Sequence, residues 1–154
     1  MDMSTPDGLA SSETDIALWF GWKRVHETVR VAVVDEVTAA TGLSEPDLTI
    51  LMALAISGDD GTLRQSVLAV ELAWDRTRVS HQVTRMERRG LVERKRVRRA
   101  AEVTITEHGL DQVRTARPIH DAAVKRHVLD RLTPEQRIVL RETLAVLGAP
   151  PAEA

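Results

Sequence analysis

The sequence predicts a mainly α-helical domain with one small β-hairpin, and three observations lead there. Apolar residues recur at helical spacing along most of the chain, turn and capping signals cut it into discrete helices, and β-rich composition is confined to the flanks of residues 94–99. A length of 154 residues suits one domain with a modest core. With 43% hydrophobic and 29% charged residues the composition is globular, which excludes a disordered chain. The absence of cysteine excludes disulfides, thiolate metal sites, thiol nucleophiles and thiol redox sensing.

Residues 1–12 are polar, include Pro6 and Gly8, and lack a basic stretch leading into an apolar one, so a flexible tail in a cytoplasmic protein is expected. From residue 13 to about 40, Ile16, Leu18, Trp19, Trp22, Val25, Val29, Ala32, Val33 and Val37 follow helical spacing, and Thr41-Gly42 closes a long amphipathic helix. Ser44 with Asp47 three positions on reads as a capping box, and Pro46 suits the first turn of a short apolar helix reaching Ser57. Its apolar run, residues 48–56, is about half of the roughly 20 residues a bilayer span needs, so no membrane segment is expected. Gly58-Asp59-Asp60-Gly61 is a turn. Residues 63–73 are expected to be helical with Val67, Leu68, Val70 and Leu72 inward; Trp74-Asp75 breaks the pattern before a further helix over residues 76–89, stopped by Gly90. Leu91-Val92 and residues 103–106 read as the two arms of a hairpin with a basic tip, the only β structure expected. Thr106 caps a second long helix to about Asp130, with Leu110, Val113, Ile119, Ala123, Val124, Val128 and Leu129 apolar and a bend at Pro118. Thr133-Pro134-Glu135-Gln136 starts a last helix to Leu147, which Gly148 and Pro150-Pro151 end, leaving residues 149–154 as a tail.

Helix, turn, helix and hairpin in that order describe a winged helix-turn-helix over residues 44–106, flanked by long helices in 13–42 and 107–148. Charge singles out the same region. Residues 1–75 carry four basic side chains against thirteen acidic, whereas residues 76–99 carry ten basic against only Glu87 and Glu93. The mild net charge of -2 therefore conceals a cationic patch of the kind that contacts phosphates, unless it is only a solvated face with arginines paired to Glu87 and Glu93. Within the fourth helix, Val79, Val83 and Met86 recur at i, i+4 and i+7 and predict a buried stripe. That stripe turns Thr77, Arg78, His81, Thr84, Arg85 and Arg88 outward and leaves Ser80 at the border. A helix of this kind fits a major groove, where arginine takes guanine through two hydrogen bonds. Thr77, Arg78, Ser80, His81, Thr84 and Arg85 are therefore candidate base readers, and Arg96, Arg98 and Arg99 candidate contacts to the backbone or a minor groove.

Leu63-Arg64, Leu68-Ala69, Leu72-Ala73-Trp74, Thr77-Arg78-Val79-Ser80, Val83-Thr84-Arg85-Met86-Glu87-Arg88-Arg89-Gly90-Leu91-Val92 and Val103-Thr104-Ile105-Thr106-Glu107-His108-Gly109 resemble the MarR family of bacterial transcriptional regulators. The likeness extends over about residues 13–147 and is most specific over 68–109. It implies a homodimeric winged helix-turn-helix repressor or activator on a pseudo-palindromic operator, often released by a small aromatic or phenolic ligand. The family wing often carries Asp-x-Arg, the acid bracing the arginine; here Arg99 stands at the arginine position and Val97 at the acid, so that brace is missing. Oxidant sensing through a family cysteine is excluded, and methionine oxidation would be a weak substitute.

The first and last helices carry more apolar surface than one small core can cover, and one reading head makes few contacts, so a two-fold dimer through the terminal helices is expected. Trp19, Trp22 and His26, with Met52 and Ile56, are candidates to line an effector cavity, against the plainer reading that both tryptophans are interface core. His26, His81, His108, His120 and His127 lack short metal-ligand spacing, so no metal or cofactor is expected. No nucleophile elbow, phosphate loop, tyrosine or convincing acid pair supports an enzyme. The rival function is a protein-interaction module, an anti-regulator that keeps the fold but turns its basic face to an acidic partner.

Overall fold

In the computed structural model, which describes residues 8–148 with side chains from residue 14 onward, α1 (Gly8–Thr41) opens the chain. It begins ahead of the expected residue 13; the rest of the tail read over residues 1–7, and residues 149–154 with Pro150-Pro151, lie outside the described residues. Two compact units result: Val34–Ala123 forms one, and the segments up to Val33 and from Val124 form the other.

In the unit Val34–Ala123, Gly42 takes φ +70, a left-handed value that lets the chain leave α1 without a Cβ clash. The expected capping box then starts α2 (Glu45–Ser57): Ser44 Oγ accepts from the Asp47 N–H at 3.3 Å, and Asp47 Oδ2 accepts from the Ser44 N–H at 2.9 Å. Ile50, Leu51 and Leu54 point from α2 into the core. After the turn at residues 58–61, where Asp60 and Gly61 both take positive φ, the structure corrects the sequence reading. Residues 62–64 form a strand, β1 (Thr62–Arg64), and only then does α3 (Gln65–Glu71) begin. The hairpin is therefore not the only β structure. Three residues are too few to show alternation, and the strand exists because it satisfies the edge of a partner distant in sequence.

A second correction concerns α3. Leu68 and Leu72, spaced i and i+4, define its inward face, which places Val67 and Val70 on the opposite side. Both valines are exposed, Val70 at 80%. Ala73 at φ +50 makes the turn into α4 (Arg76–Arg88), whose first turn is capped by Asp75 Oδ1 accepting from the Arg78 N–H at 2.8 Å. Gly90 at φ +69 ends that segment, with the Leu91 N–H donating to the Met86 carbonyl at 3.0 Å.

The hairpin arms are β2 (Val92–Val97) and β3 (Ala100–Ile105), antiparallel, and the sheet order is β1-β3-β2. Leu63 lies opposite Val103 on one side of β3, and Arg94 lies opposite Val103 on the other. The two-residue pleat period puts Val92, Arg94 and Arg96 on the face shared with Val103 and Ile105, and Glu93, Lys95 and Val97 on the reverse. Thr106 joins three elements: its hydroxyl donates to the Gly90 carbonyl at 2.6 Å and accepts from the Gly109 N–H at 3.0 Å, capping α5 (Glu107–His127). The core gathers Val37, Leu43, Ile50, Leu51, Leu54, Leu68, Val79, Val83, Met86, Leu91, Val92, Val103, Ile105 and Val113.

In the other unit, α5 ends at His127, short of the expected Asp130, and residues 129–131 form a 3-10 turn. The helix start expected at Thr133 opens α6 (Pro134–Gly148) as a capping box: Thr133 Oγ1 accepts from the Gln136 N–H at 3.3 Å, and Gln136 Oε1 accepts from the Thr133 N–H at 2.9 Å. Ile16, Leu18, Trp19, Phe20 and Val25 of α1, and Ile138, Val139, Leu144, Val146 and Leu147 of α6, are exposed. Among the described residues, no single helix is long and apolar enough to cross a membrane.

Candidate nucleic-acid interface

Asp75 fixes where α4 starts, and the fully buried side chains of Val79, Val83 and Met86 fix how it is rotated. Together they present Thr77, Arg78, His81, Arg85 and Arg88 to solvent, with Ser80 half-buried at the border, as the periodicity predicts. Thr84 departs from that prediction. It is half-buried, donating to the Ser80 carbonyl at 2.9 Å and accepting from Arg94 Nη2 at 3.1 Å, so its hydroxyl is engaged by the hairpin.

Two of the outward arginines are held by neighbours that the periodicity did not single out. The Arg78 guanidinium lies over the Trp74 ring at 3.9 Å from its centre, a cation–π contact that narrows its rotamers without neutralising its charge. Arg85 Nη2 donates to Gln82 Oε1, and Gln82 is itself buried, with Nε2 donating to Asp47 Oδ1 at 2.7 Å. Arg89, counted within the basic patch, is turned back toward α2: Nη1 meets Asp47 Oδ2 at 2.5 Å and Nη2 meets the Gly42 carbonyl at 3.2 Å. A visible signal for Gln82 was its position, since residues 79, 82, 83 and 86 make the complete i, i+3, i+4, i+7 stripe and one member is polar.

The hairpin divides its cations by face. Arg94 pairs with Glu87 at 2.9 Å, and on the reverse face Lys95 lies 3.8 Å from Glu93, which accounts for the surface pairing the two glutamates suggest. Arg96, Arg98 and Arg99 are exposed and have no hydrogen-bond or ion-pair partner among the described residues. An open groove of about 420 Å³ runs between α4 and the hairpin, lined by Gln65, Ser80, Arg94, Arg96, Arg99 and Ala100-Ala101. Such a concave cationic surface beside an exposed helix suits a nucleic-acid backbone.

The hairpin turn is strained at its tip, where Arg98 takes φ +56 although glycine is the residue suited to that region. Glycine there removes about 1–2 kcal/mol of crowding and adds about 0.4–1 kcal/mol of unfolded-chain freedom. Arg98→Gly is therefore expected to raise the unfolding free energy by up to about 1 kcal/mol, read from urea denaturation.

The effector candidates fall in different units. Trp19, Trp22 and His26 are exposed on α1, with the Trp22 and His26 rings stacked at 6.5 Å and Lys23 Nζ 5.9 Å from the Trp19 ring; Met52, half-buried, and Ile56, exposed, belong to α2. Among the described residues no group of three His, Asp or Glu side chains is placed to hold a metal ion, and the His120 ring meets the Asp121 carboxylate at 3.2 Å.

Comparison with known proteins places this geometry. The MarR family model matches residues 41–101. The chain is similar to AbsC of Streptomyces coelicolor, a MarR family transcriptional regulator, at 31% identity, with 96% of this chain and 95% of that one covered and a TM-score of 0.81. Sco3205 of the same organism, a MarR family regulator solved in complex with DNA, is 27% identical over 100% of this chain and 95% of that one, with a TM-score of 0.83. CouR of Rhodococcus jostii RHA1, solved with p-coumaroyl-CoA, shares the fold at 24% identity, covering 89% of this chain and 95% of that one, with a TM-score of 0.74. No curated protein sequence matches the chain.

Proposed function

This chain belongs to the MarR family of transcriptional regulators, and from that premise we propose that it is a cytoplasmic, homodimeric repressor that binds a pseudo-palindromic operator in double-stranded DNA. The observation that carries the reading is the exposed edge of α4, with Arg78 and Arg85 each held by a neighbour, beside a groove lined by Arg94, Arg96 and Arg99. In this reading α4 enters the major groove, Thr77, Arg78, Ser80, His81 and Arg85 face base edges, and Arg96, Arg98 and Arg99 follow the backbone or the adjoining minor groove. Thr84 acts through Arg94, keeping the hairpin against α4. The DNA complex of the similar Sco3205 supports the partner.

Dimerisation rests on the apolar side chains that α1 and α6 leave uncovered, among them Leu18 at 75% and Val146 at 75% exposure, which a second copy would shield from water. It also supplies the second reading head that a two-fold operator needs. Release by a small aromatic effector belongs to the same proposal: Trp19 and the stacked Trp22–His26 pair offer faces on which an aromatic ring packs, and the ligand complex of the similarly folded CouR is consistent with it.

Selection of bound fragments from a random duplex pool tests the reading. The wild type is expected to enrich an inverted repeat. Arg78→Ala and Arg85→Ala each relax preference at one base pair per half-site by about 1–3 kcal/mol. Arg98→Ala is expected to weaken all duplexes alike and lower the salt slope by about one. Equal affinity for every duplex would overturn the regulator and favour the rival use of the basic face on an acidic protein.

A further inference from the structure

A buried amide and a buried carboxylate stand directly behind the face of α4 that meets DNA. Asp47 is 2% exposed and Gln82 3%, and both lie among Ile50, Leu51, Val79, Val83 and Met86, where an apolar side chain would pack without desolvating polar atoms. Yet every polar atom of the pair is matched, for no buried side-chain nitrogen or oxygen among the described residues lacks a partner. Asp47 Oδ2 takes the Ser44 N–H and hydroxyl and Arg89 Nη1, which leaves Oδ1 for Gln82 Nε2 at 2.7 Å. With its NH2 group committed inward, the Gln82 amide can point only its carbonyl oxygen outward, and that oxygen accepts from Arg85 Nη2.

We propose that Gln82, oriented by Asp47, is a positioning residue that fixes the Arg85 guanidinium in the pose for base reading, and so sets sequence preference at one base pair of each half-site. The proposal rests on the DNA-reading function above and deepens it. An arginine free to swing can reach a phosphate or either of two neighbouring bases; one tethered through a rigid buried relay presents its fork in one plane, which two-point recognition of guanine requires. The relay crosses from the α2 N-terminus to α4, so preference at that base pair depends on a carboxylate 35 positions earlier in the chain than Gln82.

Duplex selection with the full-length wild type, Gln82→Met, Arg85→Ala and the double variant decides it. Methionine keeps the length and apolar packing of the side chain and removes both hydrogen bonds. Gln82→Met is expected to lose the Arg85-dependent preference, roughly tenfold at that base pair, to the same extent as Arg85→Ala, with no further loss in the double variant. Preference at the base pair read by Arg78 stays within about twofold of wild type, which a general loosening of α4 would not allow. Should Gln82→Met fail to fold, judged by circular dichroism, Gln82→Asn replaces it; its amide, one methylene shorter, reaches Asp47 or Arg85 but not both, and the same single-position loss is expected. Unchanged preference in a folded Gln82 variant, or equal loss at all positions, overturns the relay while leaving the regulator reading intact. A wild type without any preference overturns the regulator reading itself.

Discussion

Asp47→Ala is expected to lower the unfolding free energy by about 2–4 kcal/mol. Loss of the capping box contributes about 1 kcal/mol, as at other helix starts. The Gln82 amide, left buried without its acceptor, adds about 1–3 kcal/mol. Arg89, whose side chain is 45% exposed, turns to water and adds little. Asp47→Asn keeps an oxygen for part of the network and is expected to cost about half as much. Urea denaturation of both variants at one fixed protein concentration measures the difference, since a dimer's stability varies with concentration. A loss below about 1 kcal/mol for the alanine variant would mean that α2 and α4 are held together without this carboxylate.

Gly109→Ala is expected to be at least as damaging, about 3 kcal/mol or more. A Cβ there would lie 2.2 Å from the Leu91 carbonyl oxygen, 2.8 Å from Ile105 Cγ1 and 3.2 Å from Leu51 Cδ2. The Leu91 oxygen cannot retreat freely, because it accepts the Thr106 N–H at 3.1 Å at the junction of sheet and α5. Alanine's better helix propensity returns only about 1 kcal/mol, so the clash decides the sign. Gly21 of α1 is the control: nothing lies within 4 Å of its Cβ position, so Gly21→Ala is expected to stabilise by about 0.5–1 kcal/mol. Thermal melting of the two variants side by side separates steric crowding from propensity.

What could be read from the sequence was what is local. The Ser44 capping box, the Thr133 helix start, the α4 stripe at Val79, Val83 and Met86 and the Thr106 cap depend on neighbours within one or two turns, and each is where its spacing predicts. The hairpin exists, but its strands run on through residues 92–97 and 100–105, so the tip expected over 94–99 shrinks to residues 98–99. What escaped depends on distant partners. β1 is a strand only because β3 returns 40 residues later, and without that partner Leu63 looks like the first residue of a helix. Val67 and Val70 face water because Leu68 and Leu72 outcompete them for the core, a contest that hydrophobicity alone does not settle. Asp47 could be seen as a cap but not as an anchor for α4, and Gln82, although it completes the buried stripe of α4, was not singled out. The apolar terminal helices pointed to a dimer, whereas the pseudo-palindromic operator came only as an implication of the family likeness.

The strict alternation of the hairpin constrains how relatives of this protein can vary. Growing or trimming β2 by an even number of residues ahead of its turn keeps Arg94 and Arg96 on the side that faces α4. An odd change sends Glu93, Lys95 and Val97 to that side and exiles both arginines to the far one, so a single-codon insertion would strip much of the positive charge from the groove while leaving composition and net charge almost untouched.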